Sequence, residues 1–137
     1  MIEIIYGQDD KIIKWVQERI PHVSSDGFGP ATAIGIMKEG YLIAGIVYHR
    51  YQKFDIEMSM ASIDPSWATR KILRTMFQYP FQQLGCSRVT ATTPKNYKHV
   101  RTFLERLNFK LEGVIRKGYG SEDACIYGLL REELKFK

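Results

Sequence analysis

The residues best placed to do chemistry lie between Asp55 and Phe109. A strand over Asp55–Ile63 runs into a short polar loop, Asp64–Thr69. An amphipathic helix follows whose head is basic, Arg70, Lys71 and Arg74 forming the densest positive group of the chain. Where a strand passes into a helix N-terminus, backbone N–H groups point outward without carbonyl partners and attract an anion. The segment is therefore a candidate cradle for a phosphorylated cofactor. Other reactive side chains make no comparable pattern. His22, His49 and His99 have no ligand spacing, and Cys86 and Cys125 lie far apart, so neither a metal site nor a disulfide framework is indicated. Both cysteines read as small hydrophobes suited to a reducing, cytoplasmic compartment.

The elements that must position this segment follow from periodicity and punctuation. Ile2–Tyr6 reads as a strand. Asp9 or Asp10 then caps a helix through Ile20, with Ile12, Ile13, Val16 and Ile20 on one face and Pro21 as the stop. His22–Pro30 is a Ser/Asp/Gly/Pro-rich loop of the kind that faces substrate or simply connects. Ala31–Met37 and Tyr41–Tyr51 form a hairpin around Lys38-Glu39-Gly40, and the unbroken apolar run Leu42–Tyr48 marks a central strand covered on both faces. After the basic-headed helix, with Ile72, Leu73, Met76 and Phe77 on one side, Pro80 should bend or finish it. Gly85 turns the chain into a strand over Arg88–Thr93. A last helix opens on Pro94, tolerated in a first turn, and sets Val100, Phe103, Leu104 and Leu107 at helical spacing. Phe109–Arg116 and Ala124–Leu130 close the chain as a hairpin around Lys117–Asp123. The order is strand, helix, three strands, helix, strand, helix, two strands: a mixed α/β fold.

At 137 residues the chain is expected to form one domain, 1–137, with a core that needs no staples. No apolar run is long enough to span a bilayer and no signal peptide is visible. The net charge of +5 favours anionic partners without choosing among them. Because the basic residues are scattered and not interleaved with an aromatic recognition motif, a nucleic-acid-binding module is disfavoured.

The element order, together with Phe103-Leu104-Glu105-Arg106-Leu107-Asn108-Phe109, resembles the GNAT superfamily of acyl-coenzyme A N-acyltransferases, and the likeness covers nearly the whole chain. The family more often has Gly where Asn108 stands, and Asn is the natural replacement at a left-handed helix C-terminus. Trp67-Ala68-Thr69-Arg70 is similar to the loop of small bacterial and phage-borne members. The family's usual glycine-rich loop is absent, Thr69 and Lys71 standing roughly where its glycines would be.

The resemblance implies six to seven strands with helices on both faces, acetyl-coenzyme A as acyl donor, an amine acceptor and no metal. By the same resemblance, Ser62 and Ile63 would hydrogen-bond the pantetheine arm like an added strand. Trp67, Ala68, Thr69, Arg70 and Lys71 would present backbone N–H groups to the pyrophosphate. Asn96 would contact the cofactor, although Tyr97 occupies the slot the family spacing favours. Trp67 could stack on the adenine or act as a hydrophobic lid on the helix. Attack on a thioester needs a neutral amine, and Glu57, sharing a strand face with Ser59, Ala61 and Ile63, is the candidate general base, with Asp55 second. The family's tyrosine acid is replaced by Leu104, leaving Tyr97, Tyr119 and Tyr127 as options. Asp26, Glu122 and Asp123 could attract a cationic acceptor. Two further readings stay open: a catalytically weak acyl-coenzyme A-binding or interaction module on the same fold, and a basic nucleic-acid-binding domain. Exposed sheet edges make a homodimer one option.

Overall fold

The computed structural model describes residues 1–22 and 27–137. Seven strands, β1 (Ile2–Ile5), β2 (Ala31–Lys38), β3 (Tyr41–His49), β4 (Asp55–Ser62), β5 (Arg88–Pro94), β6 (Lys110–Tyr119) and β7 (Glu122–Leu130), form one sheet in the order β1-β2-β3-β4-β5-β7-β6. Every neighbouring pair is antiparallel except β4 and β5, which run parallel. Three helices, α1 (Asp9–Arg19), α2 (Arg70–Gln78) and α3 (Lys98–Arg106), fill the connections. The mixed fold, the element order and the covering of both faces agree with the sequence reading.

One face of the sheet is covered by α1. Ile12 and Val16 pack on Ala33 and Val47, and glycines let the helix approach closely. A Cβ at Gly35 would lie 2.6 Å from the Ile12 side chain, and one at Gly45 would lie 2.6 Å from Val16. The opposite face holds the larger cluster, in which Ile72, Leu73, Met76 and Phe77 of α2 and Leu104 of α3 meet Ile46, Tyr48, Ile56, Met58, Val89 and Tyr127 of the sheet. The central strand β3 is buried from Ile43 to His49, as its apolar run requires.

Several boundaries differ from those read in the sequence, each for a local reason. The N-cap of α1 is Gln8. Asp9 is already helical, and its carboxylate accepts the Ala33 N–H at 3.1 Å, tying the helix to β2 instead of capping it. Pro94 does not open α3. It is the last residue of β5, opposite Ala124, where a missing N–H costs no ladder bond at the strand end, and the helix begins four residues later at Lys98. The closing hairpin is longer and tighter than expected. Its strands run to Tyr119 and from Glu122, because Gly120, at φ +81°, supplies the turn's left-handed residue.

Pro80 neither ends nor simply bends α2. The chain widens into a single π turn over Tyr79–Gln83, closed by the Leu84 N–H donating to the Tyr79 carbonyl at 3.0 Å. A proline at 80 has no N–H to give the Met76 carbonyl four residues earlier. The buried Tyr48 hydroxyl donates to that carbonyl instead, at 2.6 Å. The C-terminus of α3 follows the motif expected of its Asn. Asn108 takes φ +81°, its N–H reaches Glu105 O and the Phe109 N–H reaches Leu104 O, each at 3.0 Å.

Tyr48→Phe should leave the Met76 carbonyl buried without a donor and lower stability by about 1–3 kcal/mol, measured as a shift in urea midpoint at unchanged slope. A midpoint within error of the parent would show that the Tyr48 bond does not stand in for the one Pro80 removes.

Candidate functional site

The site begins where the sheet comes apart. β4 and β5 pair only at Asp55–Glu57 against Arg88–Thr90, and the remainder of both strands is unpaired with the other. The sheet therefore forks on the C-terminal side of Glu57. One arm is β4, whose free edge ends at Ser62; the Ile63 N–H, expected on that edge, turns the other way and donates to the Ile43 carbonyl of β3 at 2.9 Å. The other is β5, ending at the Lys95-Asn96 turn that leads into α3. An unpaired strand edge offers N–H and C=O groups to an extended ligand.

Glu57 stands at the apex of the fork. Its cross-strand partner on β3 is His49, which places both on the α1 face with Ser59 and Ala61, as the strand pattern implied. Its side chain is 13% exposed, so it is not a solvated residue at a strand start. Burial raises its carboxyl pKa, and the Arg50 guanidinium, donating to Oε1 at 3.1 Å, holds it back down. His49 Nε2 lies 3.9 Å from Oε2 and is hydrogen-bonded to Ser59 Oγ at 2.8 Å. Burial and the Arg50 charge depress the imidazole pKa to about 4, so at neutral pH it faces Glu57 uncharged. A carboxylate with a raised pKa, one cation and a neutral imidazole beside it is suited to take up a proton.

Asp55, the second candidate, serves the sheet. It accepts from Thr90 Oγ1 at 2.8 Å and lies 3.5 Å from Arg88, which in turn donates to Glu112 on β6 at 2.7 Å. This polar ladder crosses β7 at Gly128, where any Cβ would run into the Arg88 and Glu112 groups.

The described ends of the connection between α1 and β2 pack beside the fork. His22 packs against Tyr119 of β6 at 4.6 Å between ring centroids and against Tyr97, which precedes α3, at 5.8 Å. Phe28, on the way back to β2, packs on His49 at 4.8 Å. Asp26 lies outside the described residues. Burial raises the Tyr119 pKa to about 12, with Glu57 the next contribution, so its hydroxyl stays protonated. Tyr127 is no candidate acid. It is fully buried, its hydroxyl donating to Glu105 at 2.9 Å and accepting from Arg101 at 3.0 Å. Leu104 is likewise core.

The loop after β4 is built by its own side chains. Asp64 accepts from the Ser66 N–H at 2.9 Å and pairs with Lys38 at 3.3 Å. Pro65–Trp67 forms one 3-10 turn. The Trp67 ring is buried against Phe103, so it is the hydrophobic lid and not a free surface for adenine. The N–H groups of Trp67, Ala68 and Thr69 donate within the turn, to Asp64, Pro65 and Trp67 carbonyls. Thr69 caps α2, its hydroxyl accepting from Ile72 N–H at 3.2 Å. That leaves the first-turn N–H groups of Arg70 and Lys71 without a helical carbonyl to bond. Thr69 sits at φ −74° and Ala68 at φ −85°, so the backbone here makes no demand that only glycine could meet. Asn96 is exposed in the turn after β5 and caps nothing; the α3 N-cap is Tyr97. The residues present thus fit a long, anionic, amide-bearing ligand, with a free strand edge for its arm and two helix-start donors with a basic surround for its phosphates.

Sequence reasoning passed over Arg50 and His49. The signal was the β3–β4 hairpin register, which sets His49 opposite Glu57 and Arg50 just beyond. No helix is long and apolar enough to cross a membrane.

No protein-family model matches the chain, and no curated protein matches it. Solved structures do. A spermidine N-acetyltransferase SpeG mutant from Vibrio cholerae superposes with a TM-score of 0.75 at 11% identity, over 96% of this chain and 94% of that one. A GNAT-family acetyltransferase from Bacillus anthracis gives 0.61 at 20% identity, over 74% and 67%. A probable acetyltransferase gives 0.65 at 23% identity, over 75% of this chain and 63% of that one, so the match spans less than two thirds of its length. Likeness at these identities speaks for architecture alone: the seven-stranded sheet forked between β4 and β5 is the fold of the GNAT acetyltransferases.

Proposed function

We propose that the chain is an N-acetyltransferase that moves an acetyl group from acetyl-coenzyme A to an amine of a protein or small molecule by direct attack in a ternary complex. The observation that carries this reading is the fork itself, with a largely buried Glu57 of raised pKa at its apex and free amides at the head of α2.

Ser62 presents the β4 edge to the pantetheine arm as a strand would, with the exposed side chain of Ile63 beside it. The Trp67–Lys71 turn forms the phosphate wall, Arg70 and Lys71 donating backbone N–H groups and the Arg70, Lys71 and Arg74 side chains adding charge. Asn96 stands at the tip of the β5 arm, where the family resemblance gives it a cofactor contact. The bound donor supplies a thioester carbonyl. An aliphatic amine with pKa ~10.4 arrives protonated. Glu57 takes that proton, directly or through water, for a gain of ~10²–10⁴-fold. The freed lone pair adds to the carbonyl carbon, the C–S bond then breaks, and the second proton of the nitrogen passes to the departing thiolate or to water. Thiolate is a fair leaving group, so the absence of a tyrosine at position 104 is tolerable. The acceptor enters from the α1 face, past His22, Tyr97 and Tyr119, whose rings together with the Glu57 carboxylate suit an ammonium.

The buried Leu104 favours a second reading, an acyl-coenzyme A-binding module with little turnover. Release of free thiol in the presence of amine separates the two. Titration with acetyl-coenzyme A should give binding heat and a raised melting temperature; no heat and no stabilisation would end both readings.

Glu57→Gln should leave acetyl-coenzyme A affinity unchanged and lower kcat by ~10²–10⁴-fold. Equal kcat would remove Glu57 from the mechanism. Because the active form of Glu57 is deprotonated and its pKa lies above the ordinary 4.5, its limb of the kcat–pH profile should fall on the high side of that value. Arg50→Ala removes a charge that lowers this pKa, so the limb should move to higher pH; a shift to lower pH would contradict the pairing.

A further inference from the structure

Glu57 does not stand at the apex of the fork alone. Arg50, the first residue past β3, donates to its Oε1 at 3.1 Å, in a pair of unequal exposure: 66% for the arginine side chain and 13% for the glutamate. That contact uses one of the five guanidinium N–H groups, and the others have no protein acceptor among the described residues. Arg50 also sits at φ +54°, a backbone conformation that residues with a side chain rarely adopt. The turn after it is pinned by the Gln52 N–H, which donates to the Asp55 carbonyl at 2.8 Å, so the loop sets the guanidinium beside Glu57. Stability is a poor reason for this arrangement, because an ion pair with so exposed a partner contributes little. The neighbouring carboxylates are occupied: Asp55 accepts from Thr90, and Asp123 accepts from the Lys117 N–H at 2.9 Å.

We propose that the acceptor is a free α-amino acid, its ammonium on Glu57 and its carboxylate on the open donors of Arg50. This rests on the acetyltransferase reading and narrows it to one class of amine. An α-amino acid carries both charges on one carbon, and Arg50 and Glu57 offer the two opposite charges in direct contact. The four groups then alternate in sign around a square, an arrangement that an amine with a single charge does not complete. The planar guanidinium fork suits a carboxylate in two-point contact. The direction of the sheet agrees. The β3–β4 ladder ends at His49 opposite Glu57, so Arg50 lies on the closed side of the apex and the fork opens on the other. A carboxylate drawn to Arg50 turns away from the donor and leaves the nitrogen nearest the thioester. A polyamine fits less well, because a second ammonium close to the first meets the guanidinium. A lysine ε-amine or a peptide-bonded N-terminus brings no carboxylate at that distance. Acetyl transfer forms the C–N bond at the α-nitrogen and breaks the C–S bond, one ammonium proton going to Glu57 and the second to the thiolate or water. The products are an N-acetyl amino acid and free coenzyme A. Its nitrogen is now uncharged, so the product loses its attraction to Glu57 and leaves.

Release of free thiol from acetyl-coenzyme A, measured with a panel of the free protein amino acids, tests the assignment. Leucine and phenylalanine are each set beside the amine that lacks the carboxylate, isoamylamine and phenethylamine. The full chain should acetylate at least one amino acid, and each amino acid it accepts should have a higher kcat/KM than its carboxylate-free amine. Arg50→Asn removes the guanidinium while keeping a side chain that tolerates the left-handed backbone, and it should shrink that preference by about 10–100-fold. Arg50→Lys, which keeps the charge and loses the fork, should fall between the two. Both amines of a pair use the same Glu57, so any change in its protonation cancels in the ratio, and unchanged acetyl-coenzyme A affinity shows that the variants are folded. A preference that survives Arg50→Asn intact overturns the proposal. So does a protein that acetylates polyamines, proteins or carboxylate-free amines but no free amino acid, an outcome that leaves the acetyltransferase reading standing. A chain that binds no acetyl-coenzyme A ends both.

Discussion

The parallel contact between β4 and β5 is three residues long on each side, and the rest of the site depends on its stopping there. Had the ladder continued, the β4 edge beyond Glu57 would be paired with β5 and the sheet would not fork. Antiparallel pairs flank the contact on both sides, so the sheet is held firmly at β3–β4 and β5–β7 and can afford to open between them. α2 and α3, each starting beyond the open end of one arm, pack on the same face and keep the arms apart through Met76, Phe77 and Leu104 in a shared core.

Around the apex, charge is arranged along one face of the sheet. Glu57 is desolvated and steadied by a single cation, Arg50, while the nearest ring nitrogen, on His49, is uncharged at neutral pH. Asp55, two residues away, is drawn instead into a ladder with Thr90, Arg88 and Glu112 that bridges four strands over the bare backbone of Gly128. Two carboxylates on one strand thus have different tasks, set by whether their partners satisfy them fully. One stiffens the sheet beside the fork, and the other stands largely buried at its apex beside Arg50 and a neutral imidazole.

Core and site are linked at the far end of α2 as well. Pro80 takes away a helical bond, the π turn absorbs the widened backbone, and Tyr48 of β3 satisfies the released carbonyl. α2, whose start leaves the Arg70 and Lys71 N–H groups without helical carbonyls, is in this way anchored at its end to the central strand.

Much of the architecture was legible in the residues. Alternation and apolar runs marked the strands, 3.6-residue periodicity marked the helices, and Asn108 announced a left-handed helix end, because these are local preferences of backbone and side chain. Glu57 and the Arg70–Lys71 helix start were visible as chemistry-bearing types at a strand-to-helix passage. What the chain order could not reveal was set by contacts distant in sequence. Pro94 proved to be a strand residue because Ala124 lies opposite it, and Asp9 left its capping role for the Ala33 N–H. Trp67 turned inward because Phe103 was there to receive it, and the hairpin register alone brought Arg50 and His49 to Glu57. Sequence thus determined which residues could form each element and which could react. Only the packing of the sheet decided where the ladder would part, and with it which carboxylate stands at the parting.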